Sequence, residues 1–517
     1  MLNQTSVNVA AHVPRLCRWL LLAAWAAAGC AGAAGNGGIS GDPGRGGTGG
    51  LGQGGGPTGG APAGGQAGGS PVNAGGTSGT SGASGGASGG GGALDAASGD
   101  ETAPVAPTLD ASPAPGPVGD DLPGCGRTVM VADSAQLTEA VGAVTPGDCL
   151  VLGDGVYSAP VLAMKKGTAQ APIVLRAAHR GAASFSGDVT VSGSSYVVVE
   201  GFVFPGATGI SFVDSDHCRI TRSKFLDGPA DVHGSSSFCR IDHNEFGPKN
   251  SNGNMARPTG LSTNTRIDHN HFHDVSPAGG NGRETIRLGC CGAMFDYHDQ
   301  FNVVEYNLLI SCSGEAEMIS VKSSSNIVRY NTIRRSSGTL TLRAGRKNEV
   351  YGNYVFGEGK QGGLRIYEDD HKIYNNYFET GSALSANGGG GGHAPVRRLL
   401  VVHNTFVGNV SLSGEGNVVA NNIVIGALSA GGATAQANLV TGAAAGAGLT
   451  RMGDVLSIGA MGPARAAAMG SYPFVSDDIH GQPRAGKADL GAEEWAADPA
   501  PGRRRPLTPA DVGPDSP

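Results

Sequence analysis

An asparagine followed within two residues by an apolar or aromatic side chain returns eight times along this chain, at Asn244, Asn270, Asn307, Asn331, Asn353, Asn376, Asn404 and Asn422. The successive intervals are 26, 37, 24, 22, 23, 28 and 18 residues. A drifting period in the low twenties marks one small supersecondary unit per repeat, stacked on its neighbours. The repeats are rich in β-branched residues and lack 3.6-residue periodicity, so each reads as a coil of short strands. At a fixed turn of each coil an Asn side chain can bond backbone groups that the turn leaves open, and stacked amides can bond one another. These Asn residues are therefore read as structural. The fold expected is all-β, a parallel β-helix solenoid. The 37-residue interval between Asn270 and Asn307 is an oversized coil, and residues Ser276 to Gln300 must leave it as a loop. Loops on a rigid scaffold often carry function.

The ends of the solenoid are legible too. Ser134 to Val141 reads as a short helix capped by Ser. With Pro146 to Tyr157 after it, this stretch resembles the capped N-terminal end of right-handed parallel β-helix enzymes, where a helix covers the open core. Gly481-Gln482-Pro483-Arg484 and Ala488 to Glu494 resemble the closing segment of such proteins. The folded domain is placed at 123–495, and the Pro- and Arg-rich residues 496–517 are expected to be a disordered tail.

Much of the Gly content (Gly 89) lies before residue 120. Residues 31–122 are a low-complexity Gly, Ser, Ala, Pro and Thr segment, too poor in apolar side chains to offset ordering entropy, and are read as a disordered linker. Ahead of it, Arg15 and Arg18 precede an apolar run, Leu20 to Ala28, too short to span a bilayer. Ala27-Ala28-Gly29-Cys30 resembles the lipobox of bacterial lipoproteins, so residues 1–30 are read as a lipoprotein-type signal. The alternative is an ordinary secretory signal. Either way the chain is expected to be exported, as an outer-membrane lipoprotein at the cell surface or as a secreted protein, and monomeric. A formal net charge of −7 and a pI near 6.0 show no nucleic-acid footprint.

There are nine Cys, of which Cys17 and Cys30 belong to the signal region. The remaining seven are an odd number, which leaves a thiol unpaired within a monomer. Cys125–Cys149 could staple the cap. Cys218 and Cys239 are 21 apart, as are Cys291 and Cys312, about one coil, so each pair could stack in neighbouring rungs as a disulfide or as buried thiols. No Cys-x-x-Cys pair exists to suggest metal ligation by sulfur.

The densest chemistry lies between Asn281 and Asn376. Glu315 and Glu317 stand two residues apart, a spacing that puts both carboxylates on one face of a strand. Lys322 follows just beyond. Thr341-Leu342-Arg343 comes a coil later, and Gly363-Leu364-Arg365 another coil on. Taken alone, these charges could form no more than a ladder of surface ion pairs.

Together, however, Gly280-Asn281-Gly282-Arg283-Glu284-Thr285-Ile286-Arg287, Gly314-Glu315-Ala316-Glu317, Lys322-Ser323, Thr341-Leu342-Arg343, Gly362-Gly363-Leu364-Arg365 and Asp370-His371 resemble polysaccharide lyase family 6. That family holds alginate lyases and chondroitinase B. The resemblance implies a calcium-assisted β-elimination on a uronate-containing polysaccharide, giving unsaturated uronate ends. Asn281, Glu315 and Glu317 fall on the family's calcium ligands, Lys322 on its base and Arg343 on the Arg that stabilises the departing oxygen. Arg287, Arg365 and His371 would line the groove and bind neighbouring sugar carboxylates. A cation and partial burial near Lys322 would favour the neutral amine that a base must present. The family's His after that Arg is Ala344 here.

Glu284-Thr285-Ile286-Arg287 and Gly363-Leu364-Arg365-Ile366 look more like the alginate lyases, so alginate is the expected anionic partner. The rivals are a chondroitin or dermatan sulfate lyase, a glycoside hydrolase on the same fold, and a non-catalytic polysaccharide-binding surface protein. Hydrolysis needs carboxylates flanking the bond, and Glu315 and Glu317 are too close in sequence to flank it easily. A Gly-rich loop from Asn387 to His393 reads as a flap or as slack, with Arg397 and Arg398 beyond it as weaker substrate contacts.

Overall fold

The computed structural model describes residues 124–290, 297–388, 395–499 and 501–517. The expected signal and linker lie outside the described residues, as do Cys291 and residues 389–393 of the Gly-rich loop.

Each coil is a triangle of short strands. Arg219–Thr221, Lys224–Phe225 and Ala230–His233 form one, and Arg240–Asp242, Glu245–Phe246 and Ala256–Pro258 the next. Every strand pairs in parallel with its counterpart one coil on. One face is a 14-stranded sheet running from Arg127–Val131 to Thr434–Gln436. The other two faces merge into a 23-stranded sheet, because the long strands Tyr377–Ala386 and Thr405–Ser413 run through the corner between them. The chain is the right-handed parallel β-helix that the repeats and the capped end suggest, the hand that connections between parallel strands adopt.

Among the described residues the one α-helix is Ser134–Ala143, which lays Leu137 and Val141 onto the first coil. Its cap is Asp133 rather than Ser134, with the Asp133 side chain accepting from the Gln136 backbone N–H. The Cys125–Cys149 disulfide ties the chain entry to the first coil.

Inside, like stacks on like. Phe204, Phe225, Phe246 and Phe272 form a column with ring centroids 4.4, 4.5 and 4.8 Å apart. The expected Asn ladder runs beside it without a gap. From Asn244 through Asn270, Asn307, Asn331, Asn353, Asn376, Asn404 and Asn422 to Asn438, each Nδ2 donates to the next Oδ1 at 2.9–3.1 Å. The same oxygens accept the backbone N–H of the Asn before, so one side chain serves two coils. The residue preceding the ladder Asn is left-handed at corner after corner, at His243, His269, Tyr306 and Tyr330 for example. Non-Gly residues hold that conformation at a cost of about 1–2 kcal/mol, which the ladder's bonds offset at each corner.

A second ladder lies five residues upstream in each coil. Asn302, Asn326 and Asn348 pass backbone N–H bonds from one Oδ1 to the next, and Asn348 N–H donates to Nδ1 of His371. Cys218 and Cys239 occupy the same rung in earlier coils as free, buried thiols, so their 21-residue spacing is that of stacked neighbours and not of a disulfide. Cys312 is likewise a free, buried thiol, which leaves no disulfide between it and Cys291.

Residues 501–517 correct an expectation. They are not a loose tail but a strap along the corner of the solenoid. Arg504 lies over the Tyr330 ring at 4.4 Å and pairs with Asp477 at 2.6 Å. Gly513 N–H donates to the His269 carbonyl, and the Pro514 carbonyl accepts from Arg180 and Arg222. Polar, Arg-rich composition suggested disorder, but here guanidinium groups and backbone bonds provide the attachment.

Candidate active site

The strands Ile286–Leu288, Glu317–Lys322, Thr339–Ala344 and Leu364–Ile366 stack in consecutive coils. Their register aligns Arg287 with Ser320, Ser320 with Thr341, and Thr341 with Arg365. The apolar partners on either side of that row, including Ile319, Val321, Leu340 and Leu342, are buried in the core. The row therefore faces outward.

Two irregularities shape it. Glu317 pairs with Thr339 but Ile319 with Leu340, so Met318 is an extra residue on its strand. Met318 drops into the core. Simple alternation from Ile319 would turn Glu317 inward; the bulge turns it out, a common use of bulges beside functional sites. Val321 pairs with Leu342 but Lys322 with Ala344, which makes Arg343 the extra residue on the next strand.

Outward-facing, Glu317 gathers the cations. Its Oε1 lies 2.8 Å from Nη2 of Arg365 and 3.5 Å from Nε of Arg343, while Ser320 Oγ donates to Oε2 at 2.5 Å. Both guanidinium groups lie against the Tyr367 ring, at 5.1 Å for Arg343 and 5.7 Å for Arg365. Cation–π contacts of this kind hold planar cations at a fixed height.

Glu315 is not on the strand, contrary to the two-apart argument. It sits in the turn before Glu317, and its Oε2 accepts from the Gly282 N–H at 2.7 Å. The turn and the bulge, not strand alternation, bring the two carboxylates to one side. Burial raises the Glu315 pKa, and the charges of Glu284 and Glu317 add to that despite the N–H donors of Gly282 and Arg283. Asn281 is exposed, one peptide bond from the Gly282 N–H that Glu315 accepts. Asn281, Glu315 and Glu317 thus offer hard oxygen donors in one neighbourhood.

Lys322 closes the strand. Its Nζ is 2.9 Å from Oε1 of Glu284, a nearly buried carboxylate whose Oε2 accepts from Asn254 Nδ2 at 2.7 Å. Burial opposes charge on Glu284, but Lys322, a backbone N–H and Arg287 together outweigh it and the Glu284 pKa is lowered. The partner of Lys322 is therefore an anion, where a neighbouring cation was expected. Glu284 and Asn254 were not singled out from the sequence. Glu284 was visible only as part of a longer motif, and no local signal marks Asn254.

His371 does not belong to this face. It is 0% exposed, accepts the Asn348 N–H at Nδ1, and lies 2.9 Å from the Tyr367 carbonyl at Nε2. Burial pushes its pKa down from 6.5 to about 4. It is a neutral ladder rung, not a substrate ligand. Arg397 and Arg398 are tied to Asp369 and Asp370.

Other features lie elsewhere. His243, Asp268 and His269 converge within 4.8 Å, but Arg240 already forks onto Asp268, which opposes a second cation there. Two clefts of about 540 and 420 Å³ open beside the C-terminal strap, lined by residues such as Trp495, Arg503 and Tyr306. On the row itself the side chains of Arg343 and Lys322 remain 37% and 23% exposed.

The family model of chondroitinase B matches residues 131–422. Among solved structures, the family 6 alginate lyase AlyGC is 27% identical, with a TM-score of 0.52 over 57% of this chain and 47% of that one. A mannuronic acid specific polysaccharide family 6 lyase from human gut microbiota is 25% identical, with a TM-score of 0.52 over 61% of this chain and 82% of its own. The family 6 polysaccharide lyase Pedsa3628 from Pseudopedobacter saltans shares the fold at 20% identity, with a TM-score of 0.53 over 75% of this chain and 99% of its own. The matched region spans about half the length of AlyGC, at 47%. No curated protein sequence matches this chain.

Proposed function

Because this chain belongs to the chondroitinase B family, polysaccharide lyase family 6, we propose that it cleaves a uronate-containing polysaccharide, alginate, by β-elimination. The observation that carries the reading is the outward row in which Arg343 and Arg365 converge on Glu317 and Lys322 stands at its end on Glu284, with Arg287 one coil before. Alginate is favoured over chondroitin or dermatan sulfate because AlyGC is an alginate lyase and the gut relative is mannuronic acid specific.

In such an elimination a base removes the proton from the ring carbon that bears the carboxylate. The electron pair forms a double bond to the next ring carbon, and the glycosidic C–O bond there breaks. Lys322 is assigned the base, since its amine stands at the end of the row and remains 23% exposed to an incoming sugar. Arg343 faces the departing oxygen. A guanidinium is too weak an acid to protonate it, so Arg343 stabilises its charge and water supplies the proton. Arg287 and Arg365 bind sugar carboxylates, for which a planar fork is suited.

The residues present fit a calcium ion. Asn281, Glu315 and Glu317 would hold it, as oxygen ligands suit a hard cation. Glu317 would exchange Arg343 and Arg365 for the ion, and Glu315, whose pKa is raised first by burial and then by the charges of Glu284 and Glu317, has no cation to displace among the described residues. When bound, the ion would neutralise the substrate carboxylate and make the adjacent ring proton more acidic.

The test is a panel of alginate, chondroitin sulfate and dermatan sulfate followed by the ultraviolet absorbance of unsaturated ends. Alginate should give the signal, and Lys322→Ala should lower the rate by about 10³-fold or more without changing the circular dichroism. Signal from the sulfated polymers alone would move the substrate assignment. Retained activity in Lys322→Ala would reject the base. No signal with any polymer, but retention on an alginate column, would make the protein a binder.

A further inference from the structure

We propose that Glu284, gripped by Asn254, is the positioning residue that aims the Lys322 amine into the groove. The inference rests on the reading of Lys322 as the base. Three consecutive coils supply the three side chains. Asn254 stands two residues before Ala256 and Glu284 two before Ile286, and Ala256 pairs with Ile286, so the two side chains stack. Thr285 N–H donates to the Met318 carbonyl at 2.9 Å, which locks Glu284 beside the bulge that shapes the row.

Both carboxylate oxygens are used. Asn254 Nδ2 donates to Oε2 at 2.7 Å and to the Glu284 carbonyl at 3.2 Å, and Lys322 donates to Oε1 at 2.9 Å. The Glu284 side chain is 4% exposed, so it has no freedom to follow a moving partner. A Lys ammonium on its four-carbon stem samples many rotamers when free. A hydrogen bond to a fixed anion collapses them to one direction, and the neutral amine that acts as base keeps it through one N–H while its lone pair stays free for the ring proton. The charged groups that face Glu284 are Lys322 and Arg287, which attract it, and Glu315, which repels it. Lys322 is the nearest of the attracting pair by a direct bond.

A coil-to-coil staple would look similar in a static structure, so the test separates the two roles. Glu284→Gln keeps the shape and removes the charge. Glu284→Asp keeps the charge and retracts it by one methylene. Asn254→Ala loosens the fork without touching either. Misplacing a reacting group by about 1 Å can cost about 100-fold. Each Glu284 variant of the full chain should therefore lose about 10- to 100-fold in kcat on alginate, with KM within about twofold, and Asn254→Ala should fall between them and the parent.

A second readout does not need turnover. The acetylation rate of Lys322 by acetic anhydride at fixed pH, read by mass spectrometry against Lys224, should rise several-fold in Glu284→Gln. Parent-like kcat and acetylation in the Glu284 variants would overturn the inference while leaving the lyase reading intact. A parent protein that makes no unsaturated ends would instead overturn the lyase reading, and the acetylation rates would still decide whether Glu284 holds Lys322. Equal losses in melting temperature, kcat and KM would mark a staple and overturn the positioning role.

Discussion

Calcium should raise the melting temperature of this protein, and Glu315→Gln should abolish the rise. In the fold, Glu315 has a raised pKa, with burial as the first cause and the charges of Glu284 and Glu317 adding to it. A carboxyl whose folded pKa lies above its unfolded value burdens the fold at neutral pH, and the burden vanishes below the unfolded pKa. Without calcium, Glu315→Gln should therefore melt at or above the parent at pH 7, since the amide oxygen can still accept from the Gly282 N–H. With calcium the order should reverse. A ligand at 100 times its Kd stabilises by about 2.7 kcal/mol. The folded chain of about 390 residues unfolds with an entropy near 2.1 cal/mol/K per residue, so the rise should be about 3 °C. Differential scanning calorimetry at pH 7, with calcium and with chelator, measures it. An equal rise in the parent and in Glu315→Gln would place the ion elsewhere, and no rise in either would remove it from the mechanism.

Asn331→Ala should destabilise the solenoid by about 4 kcal/mol in denaturant unfolding, because it strips the acceptor from the Asn307 N–H and the donor from the Val304 and Arg329 carbonyls, all buried or nearly so. His371→Asn should leave KM for the polymer unchanged, since Asn fills the same rung two coils earlier and one coil earlier, at Asn326 and Asn348. The same variant should flatten the acid limb of stability: with a pKa pushed from 6.5 to about 4, His371 contributes stability above pH 6.5 that is lost as pH falls toward 4, about 3 kcal/mol in all. Cys125→Ser should cost about 3 kcal/mol at the N-terminal cap, given a crosslink that spans 24 residues, and should leave kcat alone.

The solenoid was legible because one residue type repeats at one place in every coil. The eight Asn of the repeat all stand in the ladder, and Asn438 adds a rung. The second ladder is written in the sequence just as plainly, at a fixed offset from the first. Asn302, Asn326, Asn348 and Asn417 stand five residues before Asn307, Asn331, Asn353 and Asn422, and His371 stands five before Asn376. That offset marks His371 as a rung, whereas its position after Arg365 suggested a groove residue. Cys218 and Cys239 fall at the same offset from Ser223 and Asn244, which explains their spacing without a bond. The C-terminal strap was not legible, because Arg504 over Tyr330 is a contact between residues far apart in sequence. Nor was the Asn254–Glu284–Lys322 chain, which depends on coil register and on the length of the loop within it.

The charge partition separates a built site from a mere ladder of ion pairs. A structural ladder would match each carboxylate with a cation of its own. Here two Arg side chains crowd one oxygen of Glu317, Lys322 is committed to Glu284, and Glu315 relies on backbone N–H groups alone among the described residues. Arg343 and Arg365 thus share one acceptor, so a uronate carboxylate can take over either guanidinium while the other stays on Glu317. Glu315, the carboxylate with no cationic side chain, is the one whose pKa is raised. The uneven distribution leaves one place short of positive charge and another with guanidinium groups ready to change partners. The second follows from Met318 turning inward: straighten that bulge, and Glu317 would face the core with neither Arg in reach.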